Sequence, residues 1–170
     1  MELKELTEKT LEILEIESTF DMSERLLKCV TNNEERIYDQ FCKLVDNDLS
    51  IDWLQKIYQY YQADRKEKMQ DYTPKSLADF MGLLAGESKN VIDMCAGSGA
   101  LTIQKWNRNP DLEFTLYEYD KKVIPFLLFN MAVRNISCIV FQADVLQMEI
   151  FKQYKITKGE RYGRLQEVYK

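Results

Sequence analysis

The stretch Asn90–Thr102, NVIDMCAGSGALT, constrains what this chain can fold into more than any other. Apolar residues run into two glycines one residue apart, and helix formers follow at once. That order describes a strand, a tight turn and a helix N-terminus, with side chains removed where a backbone comes close to a ligand. The surrounding pattern agrees. Strands are predicted at Val91–Cys95, Glu113–Tyr117 and Cys138–Gln142, alternating with helices at Ala100–Trp106 and Lys121–Arg134. Asn107-Arg108-Asn109-Pro110 and Arg134-Asn135 punctuate them as turns. Alternation of this kind implies right-handed crossovers and a parallel sheet with helices on both faces. From about Leu146 the residues read as a final helix, with Gln147–Ile156 as its body and 157–170 as a basic tail.

Residues 1–70 read differently, as a helical segment. Leu3, Leu6, Leu11 and Leu14 fall near helical spacing. Asp21-x-x-Glu24 resembles a capping box opening a second helix, whose apolar face runs through Leu26, Leu27, Val30, Ile37, Phe41 and Leu44. Ser50 is placed to cap a third, with Leu54, Ile57, Tyr58 and Tyr61 inward. Thr73-Pro74 then opens a helix that ends near Gly86. The expected organisation is a helical segment (1–70), a ligand-binding α/β domain (71–156) and the tail (157–170).

Composition narrows the chemistry. The chain has no histidine, which excludes an imidazole base, and its four cysteines show no C-x-x-C spacing, so no metal site is expected. No run approaches the roughly 18–20 apolar residues of a membrane span, and MELKELTEKT is no signal peptide. A reduced cytoplasmic protein is expected. Net charge is −5, and the basic side chains Lys152, Lys155, Lys158, Arg161, Arg164 and Lys170 crowd the C-terminus. An acidic body repels phosphate backbones, so DNA binding by this chain alone is expected to be weak.

In an open parallel sheet, ligands sit beyond the carboxyl ends of the strands. Three such ends carry chemistry. Asp93 through Gly99 supply the glycine turn. Glu118 lies about 20 residues further on, where a carboxylate can accept both ribose hydroxyl protons. Asp144 closes the third strand, placed to accept from an exocyclic amine. A dinucleotide site wants a small residue where Thr102 stands, and the phosphate-binding G-x-x-x-x-G-K-[ST] is absent. The turn therefore suits a cationic ligand with ribose and adenine but no phosphate, a description that S-adenosylmethionine meets.

Asp93-Met94-Cys95-Ala96-Gly97-Ser98-Gly99-Ala100-Leu101-Thr102 resembles the first motif of class I S-adenosylmethionine-dependent methyltransferases. Its form is closest to DNA adenine-N6 methyltransferases and to modification subunits of type I restriction systems. Asp71-Tyr72-Thr73-Pro74-Lys75 is similar to the aromatic-Thr-Pro segment that precedes their first strand. The resemblance implies a truncated Rossmann-like parallel sheet behind a helical N-terminus. It also implies a cofactor site in which Tyr72, Thr73 and Pro74 wrap the methionine end. Asp93, Cys95, Ala96, Gly97, Ser98 and Gly99 would form the loop. Glu118 would hold the ribose and Asp144 the adenine N6, with Tyr119 and Val145 also in the cofactor site.

One departure carries weight. The family's catalytic motif is an Asn or Asp followed by two prolines and an aromatic residue. It holds a flipped adenine in line with the methyl group. The prolines here are Pro74, Pro110 and Pro125, no two adjacent, so no catalytic residue is assigned. The expectation is the cofactor-binding part of a DNA adenine-N6 methyltransferase that needs another chain or domain for catalysis. The alternative is an inactive binding module. Missing strands would leave an exposed sheet edge open to a protein partner or to self-association.

Overall fold

Leucines at helical spacing, with exposed Glu and Lys between them, form α1 (Leu3–Leu14), which buries Leu6 and Leu14. This chain's computed structural model describes residues 1–63, 73–84, 86 and 88–169. The helix from Asp21 is two helices, α2 (Met22–Thr31) and α3 (Glu35–Leu44). The break falls at Asn32-Asn33, where Asn33 takes a left-handed φ of 49°, a conformation asparagine tolerates better than most residues. Arg25 fixes the bend. Its Nε donates to the Leu14 carbonyl at 2.9 Å, and its two Nη atoms fork onto the Glu34 carboxylate at 2.9 and 2.7 Å. A half-buried bidentate pair of this kind holds geometry as well as energy. For α4 (Trp53–Tyr61) the cap is Asp52, not Ser50: its Oδ1 accepts from Gln55 N at 2.9 Å. Ser50 bonds Asp48 instead.

After α5 (Lys75–Leu84), the alternating pattern gives β1 (Asn90–Asp93), α6 (Ala100–Arg108), β2 (Glu113–Glu118), α7 (Ile124–Val133) and β3 (Cys138–Asp144). The three strands pair in parallel. The expected final helix is absent. Residues Glu149–Thr157 form β4, antiparallel to β3, and Arg164–Tyr169 form β5, antiparallel to β4. Lys, Gln and Glu favour helix on their own, but Tyr154 and Ile156 alternate inward against Val140 and Cys138. Cross-strand burial decides the state of such a segment. The basic segment is thus a hairpin, not a helix and a tail.

The fold is Rossmann-like α/β, with sheet order β1-β2-β3-β4-β5. That order corrects a second expectation, since helices do not cover both faces equally. Because β1, β2 and β3 follow one another in one direction, both crossovers return over the same side; only a reversal of strand order would place helices opposite. Phe114, Leu116, Cys138 and Val140 are buried, whereas Thr115, Tyr117, Ile139 and Phe141, on the other face, stay half-exposed. Tyr117 and Phe141 stack there at 5.0 Å.

The covered face explains the helical segment. Every residue of α7 is buried, and α2 and α4 pack on it from the side away from the sheet. Edge-to-face pairs Tyr58–Phe126 and Phe41–Phe129 join the two layers. One hydrophobic cluster runs from Leu6 to Tyr162, so residues 1–63 and the sheet share a core. Among the described residues no helix is long and apolar enough to cross a membrane.

Candidate functional site

At the end of β1 the chain turns through two left-handed glycines, Gly97 (φ 56°) and Gly99 (φ 103°), before entering α6. Ala96 N donates to the Tyr117 carbonyl at 2.8 Å, which keeps the loop against β2. Gly97 N donates to Glu118 Oε2 at 2.9 Å, and Asp120 N donates to Glu118 Oε1 at 2.6 Å. Glu118 therefore ties the glycine loop to the end of β2. Burial raises its carboxyl above the ordinary value, against the pull of those N–H donors.

Asp93 accepts from Cys95 N at 3.2 Å and from Thr102 Oγ1 at 3.4 Å, and burial raises its carboxyl too. Cys95 is exposed, but burial of its sulfur and the nearby Asp93 and Glu118 push its thiol up. A thiol held protonated in this way is a poor nucleophile.

The sequence predicts that Gly97 and Gly99 clear space for a ligand. A Cβ on Gly99 would instead meet Met131 Cε at 2.9 Å and Leu127 Cδ1 at 3.0 Å, so its bareness lets the loop settle on α7.

The third strand end, Asp144, closes its own turn: Oδ1 accepts from Leu146 N and Gln147 N, both at 3.0 Å. Val145 beside it is half-buried. Tyr119 is exposed and lies edge-on to Phe151 of β4 at 6.2 Å. The ends of β1, β2 and β3 adjoin in that order, about 4.8 Å from strand to strand. Asp93, Glu118 and Asp144 thus line one end of the sheet, as the sequence predicts. Tyr72 lies outside the described residues. Thr73 and Pro74 line a pocket of about 250 Å³ together with Asp52, Gln55, Ala100 and Gln104. The helical segment thereby reaches the loop.

Sequence reasoning missed that reach. Asp52 is 5% exposed, and its Oδ2 accepts from Ser98 Oγ, in the glycine loop, at 2.6 Å. Its Oδ1 accepts from Asn130 Nδ2 at 2.9 Å, and the same Nδ2 donates to the Ser98 carbonyl at 2.9 Å. Arg134 completes the cluster. Its Nη1 donates to Asn130 Oδ1 at 2.8 Å, while Nε and Nη2 reach the Leu49 and Ile51 carbonyls, each at 2.8 Å. Burial drives Asp52 up and Arg134 down to about 10. Two signals were present in the sequence. Asp52-x-x-Gln55 is a capping pattern, and Asn130 is a lone amide in the otherwise apolar IPFLLFNMAV.

Carboxylates on β1, β2 and β3 around a bare backbone turn suit a ligand with positive charge, hydroxyls and an amine. They do not suit a phosphate. A model of the methyltransferase small domain matches residues 68–156, more than half of the chain. No curated protein and no solved structure matches.

Proposed function

We propose a function on the premise of family: this chain belongs to the methyltransferase small domain family, whose implied methyl donor is S-adenosylmethionine. It binds that cofactor and forms the cofactor half of a DNA adenine-N6 methyltransferase of restriction-modification type, completed by another chain or by further polypeptide. When bound, the cofactor supplies an electrophilic methyl on a sulfonium. Glu118 would accept from ribose hydroxyls, and the loop from Asp93 to Gly99 would hold the amino-acid chain. Thr73 and Pro74 would close the methionine end. Asp144 Oδ2 accepts from the adenine amine, since Oδ1 is taken by the turn. Tyr119, beside Glu118, offers an exposed ring to the cofactor.

The observation that carries the reading is the union of this acidic strand-end row with the free outer edge of β1. β1 is the last strand on its side of the described sheet, immediately beside the glycine loop. Ile92 and Met94 are exposed along it, and α5 next to it exposes Leu77, Phe80, Leu83 and Leu84. A strand whose outer edge has no partner among the described residues, flanked by an apolar patch, favours a partner that brings more sheet. The missing adenine clamp belongs with that partner. DNA contact by this chain alone is weak for a local reason. Lys158, Arg161 and Arg164 pair with Asp111, Asp39 and Glu35, which leaves less charge for phosphates.

The test joins calorimetry with a transfer assay. S-adenosylmethionine or S-adenosylhomocysteine should bind 1:1 in the micromolar range, on the order of −8 kcal/mol. No heat and no thermal shift at millimolar ligand would refute cofactor binding. Tritiated cofactor should label adenine-rich DNA only after a protein bearing an Asn-Pro-Pro-aromatic segment is added. Label from this chain alone would overturn partner dependence. Binding without transfer in any such mixture would favour an inactive module.

A further inference from the structure

We infer that Asp52 is a positioning residue for cofactor binding: through Ser98 and Asn130, the helical segment sets the shape of the glycine loop. The inference rests on the cofactor reading above and adds a site residue from outside the matched region of residues 68–156.

The geometry leaves Asp52 little other purpose. A buried carboxylate is costly unless its lone pairs are satisfied. The three hydrogen bonds that Asp52 accepts come from three different elements. Gln55 N belongs to α4, Asn130 Nδ2 to α7 and Ser98 Oγ to the loop. Capping α4 would need only the first, and an N-cap carboxylate normally sits at the surface, where hydration comes free. Here the cap is driven into the core and its second oxygen is spent on Ser98.

Ser98 is gripped twice, by hydroxyl and by carbonyl, through groups that also grip each other. Its neighbours Gly97 and Gly99 are the residues of the loop with the widest backbone freedom. Fixing the peptide between them therefore removes the freedom the glycines would otherwise bring. A loop held rigid in its binding shape loses less entropy when ligand arrives, which is how a residue that never touches ligand raises affinity. Arg134 holds the assembly from behind, bonding Asn130 and the Leu49 and Ile51 carbonyls of the segment that leads into Asp52.

The test uses the full chain with S-adenosylhomocysteine as the probe. Asp52→Ala and Ser98→Ala should each weaken binding about tenfold, the scale of one buried charge-assisted hydrogen bond. The double variant should be little worse than either single one, because both break the same contact. Asp52→Asn keeps an acceptor for Gln55 and Asn130 and can donate to Ser98 Oγ, so it should restore most of the affinity. Arg25→Ala, which cuts the Glu34 fork far from the loop, serves as the stability control and should leave affinity unchanged. Hydrogen exchange in the ligand-free protein gives a second reading. Amides of residues 96–101 should exchange faster in Ser98→Ala and Asp52→Ala than in Arg25→Ala.

Wild-type affinity in Asp52→Ala and Ser98→Ala, or additive losses in the double variant, would overturn the inference. So would equal weakening by Arg25→Ala. If the unaltered chain binds no ligand, the cofactor reading falls by itself. Unchanged loop exchange in both loop-side variants would then show that Asp52 does not hold the loop.

Discussion

Replacing Gly99 by alanine isolates what the glycine loop demands of its own backbone. Gly99 sits at φ 103° and ψ 20°, outside the region a side chain accepts comfortably. Forcing an L-residue there costs about 1–3 kcal/mol. The added Cβ would also lie 2.9 Å from Met131 Cε and 3.0 Å from Leu127 Cδ1, both on the fully buried helix α7. Overpacking of a filled core costs about 1–3 kcal/mol, but the end of a methionine gives more readily than backbone, so the lower end applies. Together the two effects predict a loss of about 2–4 kcal/mol, measured as a shift of the urea midpoint at unchanged slope. The strain resides in the backbone, so most of the loss should persist when the substitution is repeated in a Met131→Ala background. A Gly99→Ala protein within about 0.5 kcal/mol of wild type, the range of an inert surface change, would refute the reasoning. Full rescue by Met131→Ala would show that the clash, not the left-handed backbone, sets the requirement.

Further outcomes follow from the same contacts. Burial holds the Glu118 carboxyl above its ordinary 4.5, so the native state binds its proton more tightly than the unfolded chain does. Its stabilising contribution is full below about pH 4 and is lost as pH rises through the folded value. Glu118→Gln should therefore gain melting temperature relative to wild type as pH rises above the ordinary carboxylate value, and a constant or narrowing gap in paired thermal melts would contradict this. Glu118→Ala should weaken S-adenosylmethionine binding by about 1–3 kcal/mol in calorimetry, and an unchanged dissociation constant would remove Glu118 from the site. Arg134→Ala strands the Leu49 and Ile51 carbonyls and leaves Asp52 without its buried countercharge. It should cost about 3–5 kcal/mol by denaturant titration, and a loss under about 1 kcal/mol would mean that water takes its place. Because α2 and α4 cover α7, a fragment limited to residues 71–170 should aggregate, and a soluble, cooperatively melting fragment would disprove the shared core.

Local chemistry in the sequence determined β1, β2, β3 and the helices between them. Each has its own period, and the glycines at 97 and 99 mark a turn where the backbone takes left-handed φ between β1 and α6. The acidic residues at the ends of those strands were legible for the same reason, since a strand boundary can be read from its neighbours alone. Segment 149–169 was not legible, because Lys and Gln at half-exposed positions leave helix and strand close in energy until β3 offers a partner. Which sheet face is covered followed from the order of three strands, a property no single strand carries. The attachment of Asp52 to Ser98 spans 46 positions of sequence. The sequence marks one residue as a helix cap and the other as a turn. Only packing on α7 brings them within a hydrogen bond, because the burial that makes the bond strong exists only once the helical segment and the sheet share one core.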